Sequence, residues 1–221
     1  MKKLISIVLL LAMVLCMTAC GEKQGPVAYV TIYGADGLKM GAQAVKLVDT
    51  NDDGKIDMTD VLREAHIENA PNKEKDFDAA DGGYGMSLTK LWGDNSGGYG
   101  YCLNNEAPMN LEVEVAEGDY LCAYVYQDQI AWSDSYSWFD KIHADGDVEL
   151  TLYANVMDAS WNVTKTVIAG ATILVDNTPI NATTDANGKV KISGLSKGEH
   201  TITATHSEYV LNYPVCIVTV K

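Results

Sequence analysis

The chain has 221 residues, 47% of them apolar and 21% charged, with 19 glycines and 5 prolines. That is a globular composition with apolar material for one or two small domains, and it excludes a disordered tail, a collagen-like repeat and a polytopic membrane protein. Sixteen basic against thirty acidic side chains give a formal charge of −14, which argues against nucleic acid as a partner, because a phosphate backbone selects basic surfaces.

Lys2 and Lys3 are followed by an apolar run from Leu4 to about Val14 and then by Leu15-Cys16-Met17-Thr18-Ala19-Cys20-Gly21. This segment resembles a bacterial lipoprotein signal, with small Ala19 before Cys20 and small polar Thr18 before that. Met17 stands where such signals usually have Leu, and bulky Leu15 makes Cys16 the poorer acceptor. A transmembrane anchor is the rival reading, but Leu4 to Ala19 falls short of the roughly 20 residues that span a bilayer. The resemblance implies removal of residues 1–19, a diacylglycerol on the Cys20 sulfur, and a short linker completing residues 20–26. Two acyl chains anchor stably where one does not. Loss of Lys2 and Lys3 takes the charge from −14 to −16. Anionic headgroups repel such a surface, so lipid must hold the chain to the bilayer. The expected location is the extracytoplasmic face of a bacterial cell membrane. Cys102, Cys122 and Cys216 remain; a Cys102–Cys122 bridge and separate buried thiols are both open.

From Val27 to Tyr33 the chain reads as a strand, and Ala42 to Val48 as a second. Met58, Val61, Leu62 and Ala65 follow i, i+3, i+4, i+7, the apolar face of a helix. Glycine-rich turns then separate short strands near Gly85–Leu91, Tyr99–Leu103, Leu111–Val115 and Asp119–Tyr126. This predicts an α+β chain, one helix packed on a mixed sheet in a first domain over residues 27–145. From residue 146 to 221 the pattern is all strand: Val148–Ala154, Ala171–Val175, Lys189–Ile192, His200–Thr205 and Val215–Val220. Turns at Asn187-Gly188 and Lys197-Gly198 complete a small sandwich.

Residues 49–60 carry the sharpest chemical signal. Asp49, Asn51, Asp53, Lys55, Asp57 and Asp60 fall at positions 1, 3, 5, 7, 9 and 12 of a calcium-loop frame, with Gly54 at the sharp turn. Side-chain oxygens from positions 1, 3 and 5, the Lys55 carbonyl, Asp57 and the closing Asp60 would supply the oxygen shell that calcium prefers. Five carboxylates in twelve residues, with Lys55 as the one base, favour a divalent ion in a structural role. The bland reading is an acidic turn in which Asp57 caps the following helix. The frame resembles the loop of cellulosomal dockerin modules, which also close with Asp. Dockerins carry two such loops and this chain has one, so their function does not transfer.

Two longer resemblances follow. Gly97-Gly98-Tyr99-Gly100-Tyr101-Cys102-Leu103-Asn104-Asn105, with Gly118-Asp119-Tyr120-Leu121-Cys122-Ala123-Tyr124-Val125-Tyr126, resembles the hairpin and strand of the transcobalamin and intrinsic factor C-terminal domain and of related bacterial surface proteins. Ala65-His66, Leu91-Trp92-Gly93-Asp94 and Trp132-Ser133-Asp134-Ser135-Tyr136 extend the likeness over about 27–140. It implies a β-grasp-like domain and, by analogy with the vitamin carriers, cobalamin or another corrinoid as ligand. Trp92, Tyr99, Tyr101, Tyr124, Tyr126 and Trp132 would supply apolar faces, and Asn104 and Asn105 would meet the corrin amides. Alternate aromatics also read as core or sheet surface, and Asn104-Asn105 as a turn. The carriers also use a large helical domain that this chain lacks. Gly170-Ala171-Thr172-Ile173-Leu174-Val175, Thr184-Asp185-Ala186-Asn187-Gly188-Lys189-Val190 and Gly198-Glu199-His200-Thr201-Ile202 resemble the carboxypeptidase regulatory-like, prealbumin-type sandwich over about 167–220. Pilin relatives carry an isopeptide-promoting Glu where this chain has Ala204, so no such bond is expected.

No H-E-x-x-H, G-x-S-x-G or Walker loop occurs. His66 reads as a satisfied core residue rather than a ligand. The expectation is a non-catalytic, lipid-anchored protein with a calcium-stabilised binding domain. An adhesion or structural spacer is the alternative.

Overall fold

The computed structural model describes residues 25–130, 133–158, 160, 162–212 and 214–221. The expected lipoprotein signal, Cys20 and Trp132 lie outside them. No helix among the described residues is long and apolar enough to cross a membrane.

The first sheet holds β1 (Val27–Gly34), β2 (Gly37–Lys46), β5 (Tyr99–Leu103) and β6 (Tyr120–Val125) in the order β2-β1-β6-β5. Its central pair, β1 and β6, is parallel, and the outer pairs are antiparallel. Period-two alternation gives this sheet two apolar faces. Ala28, Val30, Ile32, Met40, Val45, Leu121, Ala123 and Val125 point to one side. There Met58, Val61, Leu62 and Ala65 of α1 (Met58–Asn69) cover them. The predicted helix face is therefore the observed one. β3 (Asp78–Asp81) and β4 (Met86–Lys90) form a separate hairpin beside this core. In β2, Ala42 takes a positive φ of 44°, and its amide donates to Thr31 Oγ1 at 2.8 Å. The register of β1 and β2 shifts at that point, which marks a bulge.

The rest of the chain builds two five-stranded sheets. One has the path β10-β9-β7-β15, with β13 also on β9: β7 (Asp134–Phe139), β9 (Val148–Met157), β10 (Val163–Val167), β13 (Lys189–Ile192) and β15 (Val210–Asn212). Along one edge, β9 pairs first with β13 and then with β10. The other has the order β12-β11-β14-β16-β8: β8 (His143–Asp145), β11 (Thr172–Val175), β12 (Thr178–Thr183), β14 (Gly198–Thr205) and β16 (Cys216–Val220). Leu150, Leu152, Ile173, Val190, Ile202 and Val218 fill the space between them.

Two findings revise the sequence reading. Among the described residues strands hold 51% and helix 8%, so the α+β class expected, with its β-grasp-like first domain, gives way to an all-β protein whose described residues include one twelve-residue α-helix. The physical reason lies on the second face of the first sheet. Tyr33, Ala42, Cys102, Tyr120, Cys122 and Tyr124 pack directly on Tyr136, Trp138, Val215 and Ile217 of the following strands. Sheet lies on sheet there, and α1 covers only the outer side. Second, β7 and β8 pair with β9, β15 and β16, so the chain changes sheets between β6 and β7, ahead of residue 146. The expected strand near Leu111–Val115 is irregular chain holding a single bridge, Asp57 to Glu114.

Candidate functional site

The 49–60 loop folds around its own carboxylates. Asp49 accepts the Asp53 and Gly54 amides through its two oxygens at 3.3 and 2.8 Å. Asn51 Oδ1 accepts the Asp53 amide at 3.0 Å, and Asp53 Oδ1 accepts the Lys55 amide at 2.9 Å. Gly54, at φ +86°, makes the turn. The second half of the frame does different work. Asp57 caps α1 by accepting the Thr59 and Asp60 amides at 2.7 and 3.1 Å, and Asp60 reaches back to the Asp57 amide at 3.1 Å. This is a capping box with Asp at both corners. Asp60, buried, also accepts the Thr50 amide and hydroxyl at 3.0 and 2.5 Å.

Among the described residues no group of three or more His, Cys, Asp or Glu side chains converges as a metal site. In this structure the oxygens at 49, 51 and 53 face loop amides and those at 57 and 60 face the helix cap, and each of these carboxylates keeps a lone pair that could meet a divalent ion. Burial, reinforced by the neighbouring Asp60 charge, pushes the Asp57 carboxyl above its ordinary range. Glu114 lines an open depression of about 410 Å³ with Asp49, Gly54, Lys55, Ile56 and Val115. Loop spacing gave no sign of it, since it arrives from a distant segment.

The residues expected to hold a corrin separate onto different faces. Trp92, Tyr99 and Tyr101 pack against the helix-side core. Tyr99 donates to the Asp94 carbonyl at 2.8 Å and Tyr101 to the Met109 carbonyl at 3.3 Å. Tyr124 and Tyr126 lie on the opposite face. There Tyr124, Tyr136, Trp138 and Tyr153 stack in succession, with ring centroids 6.0, 5.4 and 5.8 Å apart. Lys165 Nζ caps the row, 4.5 Å from the Tyr153 centroid. Asn104 and Asn105 form a turn with both φ positive, 51° and 68°. Asn104 donates to Asp119 Oδ1 at 2.9 Å and accepts the Tyr120 amide at 3.0 Å. Asn105 Oδ1 accepts the Tyr136 hydroxyl at 3.0 Å. These groups hold two faces of a sheet and one turn. Those of them that are described form no common wall for a corrin.

His66 is a core residue, as expected. It is fully buried; Nδ1 donates to the Leu62 carbonyl at 2.6 Å, and Nε2 accepts the Trp92 amide at 3.1 Å. One constellation escaped the sequence reading. His200 Nδ1 lies 2.7 Å from Asp176 Oδ2, and its Nε2 lies 3.3 Å from Ser196 Oγ. The order resembles a nucleophile, base and acid, yet Nε2 also sits 2.9 Å from the carbonyl oxygen of Ser196. Two oxygens of one residue face that nitrogen, so it must carry a proton and donate. The bond to Asp176 raises the imidazole above its ordinary value, which favours the doubly protonated ring. With no lone pair on Nε2, His200 cannot act as base toward Ser196. The arrangement is an ion-paired latch.

Large apolar side chains face solvent at several places, Ile130 and Val163 among them, and two of the most exposed lie close together where the sequence did not single them out. Tyr84 is 83% exposed and Met109 82% exposed. Asn110 Nδ2 donates to the Tyr84 carbonyl at 3.1 Å, and Tyr101 holds the Met109 carbonyl, so both sit on a fixed rim. Gly83 and Gly85 donate their amides to Asp81 Oδ1 at 2.7 and 3.2 Å, which shapes the turn carrying Tyr84.

No protein-family model and no curated protein matches this chain. Among solved structures it is similar to the N-terminal four Ig domains of Dscam1 isoform 4.44, at 9% identity and a TM-score of 0.24. The match covers 55% of this chain and 26% of that one. So low a score carries no argument about fold or function.

Proposed function

We propose that this chain is a non-catalytic, lipid-anchored extracytoplasmic protein that presents a rigid binding surface to a ligand or partner. The observation that carries the reading is the pair Tyr84 and Met109, whose side chains are exposed while their backbone carbonyls are held by hydrogen bonds on the rim of the first sheet's domain. An ordered apolar pair in water is an interaction surface in waiting. Attachment through Cys20 follows from the lipoprotein signal. Calcium belongs to the reading as a ligand of the 49–60 loop, whose five carboxylates repel one another and keep lone pairs that could meet it. Calorimetry tests it: the wild type takes up calcium and Asp49→Ala and Asp53→Ala do not. No heat in the wild type leaves Asp57 and Asp60 with the helix cap alone.

Native mass spectrometry of residues 21–221 against cyanocobalamin, peptidoglycan fragments and a glycan panel tests the surface. Binding that weakens at least tenfold in Tyr84→Ala/Met109→Ala supports it. Uniform absence of binding, or binding indifferent to both changes, refutes it.

The adhesion or spacer reading has its own support in the aromatic row, which joins the first sheet to the sandwich through Tyr124, Tyr136, Trp138 and Tyr153. Two sheets joined through stacked rings suit a spacer. Cell contacts that survive the Tyr84/Met109 double change would favour it. Point changes are the proper tool, because deleting residues 147–221 would strip β7 of β9 and uncover the aromatic face.

A further inference from the structure

We propose that Cys102 and Cys122 join in a cross-strand disulfide in the exported protein. The two residues stand directly opposite each other in the antiparallel pair β5–β6, and both point into the same apolar cluster. The Asn104 amide donates to the Tyr120 carbonyl at 2.7 Å, so 104 and 120 are a hydrogen-bonded pair, and so, two residues along, are 102 and 122. Such pairs hold their Cα atoms about 5.5 Å apart, inside the range of about 4.4–6.8 Å that a disulfide bridges, while their Cβ atoms, at the long end of about 4.5–5.5 Å, must draw together by about 1 Å for the sulfurs to join.

The third thiol is excluded by the pleat. Cys216 lies in the sandwich core, while its neighbours Val215 and Ile217 face the aromatic cluster. Its sulfur therefore points away from the pair. All three thiols are buried and unbridged in this structure. The bridge would tie β5, an edge strand of the first sheet, to β6, and close the chain around the Asn104-Asn105 turn.

The chemistry is thiol–disulfide exchange with an external disulfide. One cysteine thiolate attacks it and releases one thiol. The second cysteine attacks the mixed disulfide and releases the other. Two protons leave the cysteines, and the external disulfide takes up the two electrons. Burial pushes the Cys102 thiol up to about 12 and raises Cys122 as well, so thiolate is scarce once the sheet has closed. Oxidation therefore belongs to the unfolded or partly opened chain.

This proposal rests on the export part of the proposed function and not on its binding surface. For the test, the full chain is unfolded in reductant, refolded in oxidised and reduced glutathione, and trapped with iodoacetamide in denaturant. Glutamyl endoprotease then cuts between the two cysteines at Glu106, Glu112, Glu114 and Glu117, and the fragments are mapped without reductant. The expected result is one linked pair, two hydrogens lighter than the sum of its fragments, with Cys216 alkylated. The same pair appears in Cys216→Ala, so the readout does not depend on a change at 102 or 122 being tolerated. Full alkylation of Cys102 and Cys122, or linkage of either one to Cys216 or to another chain, overturns the proposal.

Discussion

Acid should weaken this fold through His66. Its ring is sealed between Phe77 and Trp92, with centroids at 5.1 and 5.2 Å, and both nitrogens are used. Adding a proton would put a second donor on Nε2 against the Trp92 N–H, away from water. Burial accordingly holds this imidazole below its ordinary value. The unfolded chain takes the proton near pH 6.5 and the native state does not. Unfolding therefore gains a proton, and stability falls as pH drops below about 6.5. The slope approaches about 1.4 kcal/mol per pH unit until the native value is reached. Above about pH 7.5 this contribution is flat. Urea unfolding at pH 8, 7, 6 and 5.5 reads it in the wild type and in His66→Gln. The variant should lose about 1–3 kcal/mol at pH 8 from disturbed packing and an imperfect partner for the Trp92 amide. Its stability should fall less steeply toward pH 5.5. Parallel wild-type and variant curves would refute the reasoning.

Three further outcomes are expected. His200 has the opposite sign: its imidazole is raised by Asp176, so its contribution is full below about pH 6.5 and is lost as pH climbs through the higher native value. Melting temperature against pH in Asp176→Asn should lose that alkaline decline. Asp57→Ala removes the helix N-cap and one corner of the capping box and should cost about 0.5–2 kcal/mol in chemical denaturation, with or without calcium. Gly100 lies opposite Tyr124 in β5–β6, and a Cβ there would overlap the Tyr124 ring. That ring is held by Tyr126 and Tyr136, so Gly100→Ala should cost about 1–3 kcal/mol and lower the denaturation midpoint.

Local patterns were legible where one element decides its own burial. The i, i+3, i+4, i+7 spacing from Met58 to Ala65 marked the helix face that packs on the first sheet. Asp57 as helix cap was open in the sequence and is what the hydrogen bonds show. Several strands were invisible for physical reasons. Asp134–Phe139 has Ser135 and Ser137 among its aromatics and Val163–Val167 is largely exposed, so neither shows an apolar run. Leu111–Val115 alternates like a strand, with Leu111 and Val115 buried and Val113 exposed, yet it mostly lacks a pairing edge. Alternation reports burial, and only a neighbour with free amides turns it into a strand.

The same distinction explains the aromatics. Period two in Tyr120-Leu121-Cys122-Ala123-Tyr124-Val125-Tyr126 correctly places Tyr and Cys on one face and Leu, Ala and Val on the other. It cannot say what covers the Tyr face. A sheet face lined by tyrosines serves equally to receive a flat ligand or to receive another sheet, since either supplies apolar surface and the hydroxyls need a few partners at the edge. The cover here is protein: Tyr136 stacks on Tyr124, Trp138 stacks on Tyr136, and the Tyr136 hydroxyl finds Asn105. The rings most ligand-like in sequence are therefore committed to joining two sheets. Tyr84 and Met109, left facing water, lie beside glycines and a turn where sequence pattern carries no periodic signal. That rim is where the binding reading is tested first.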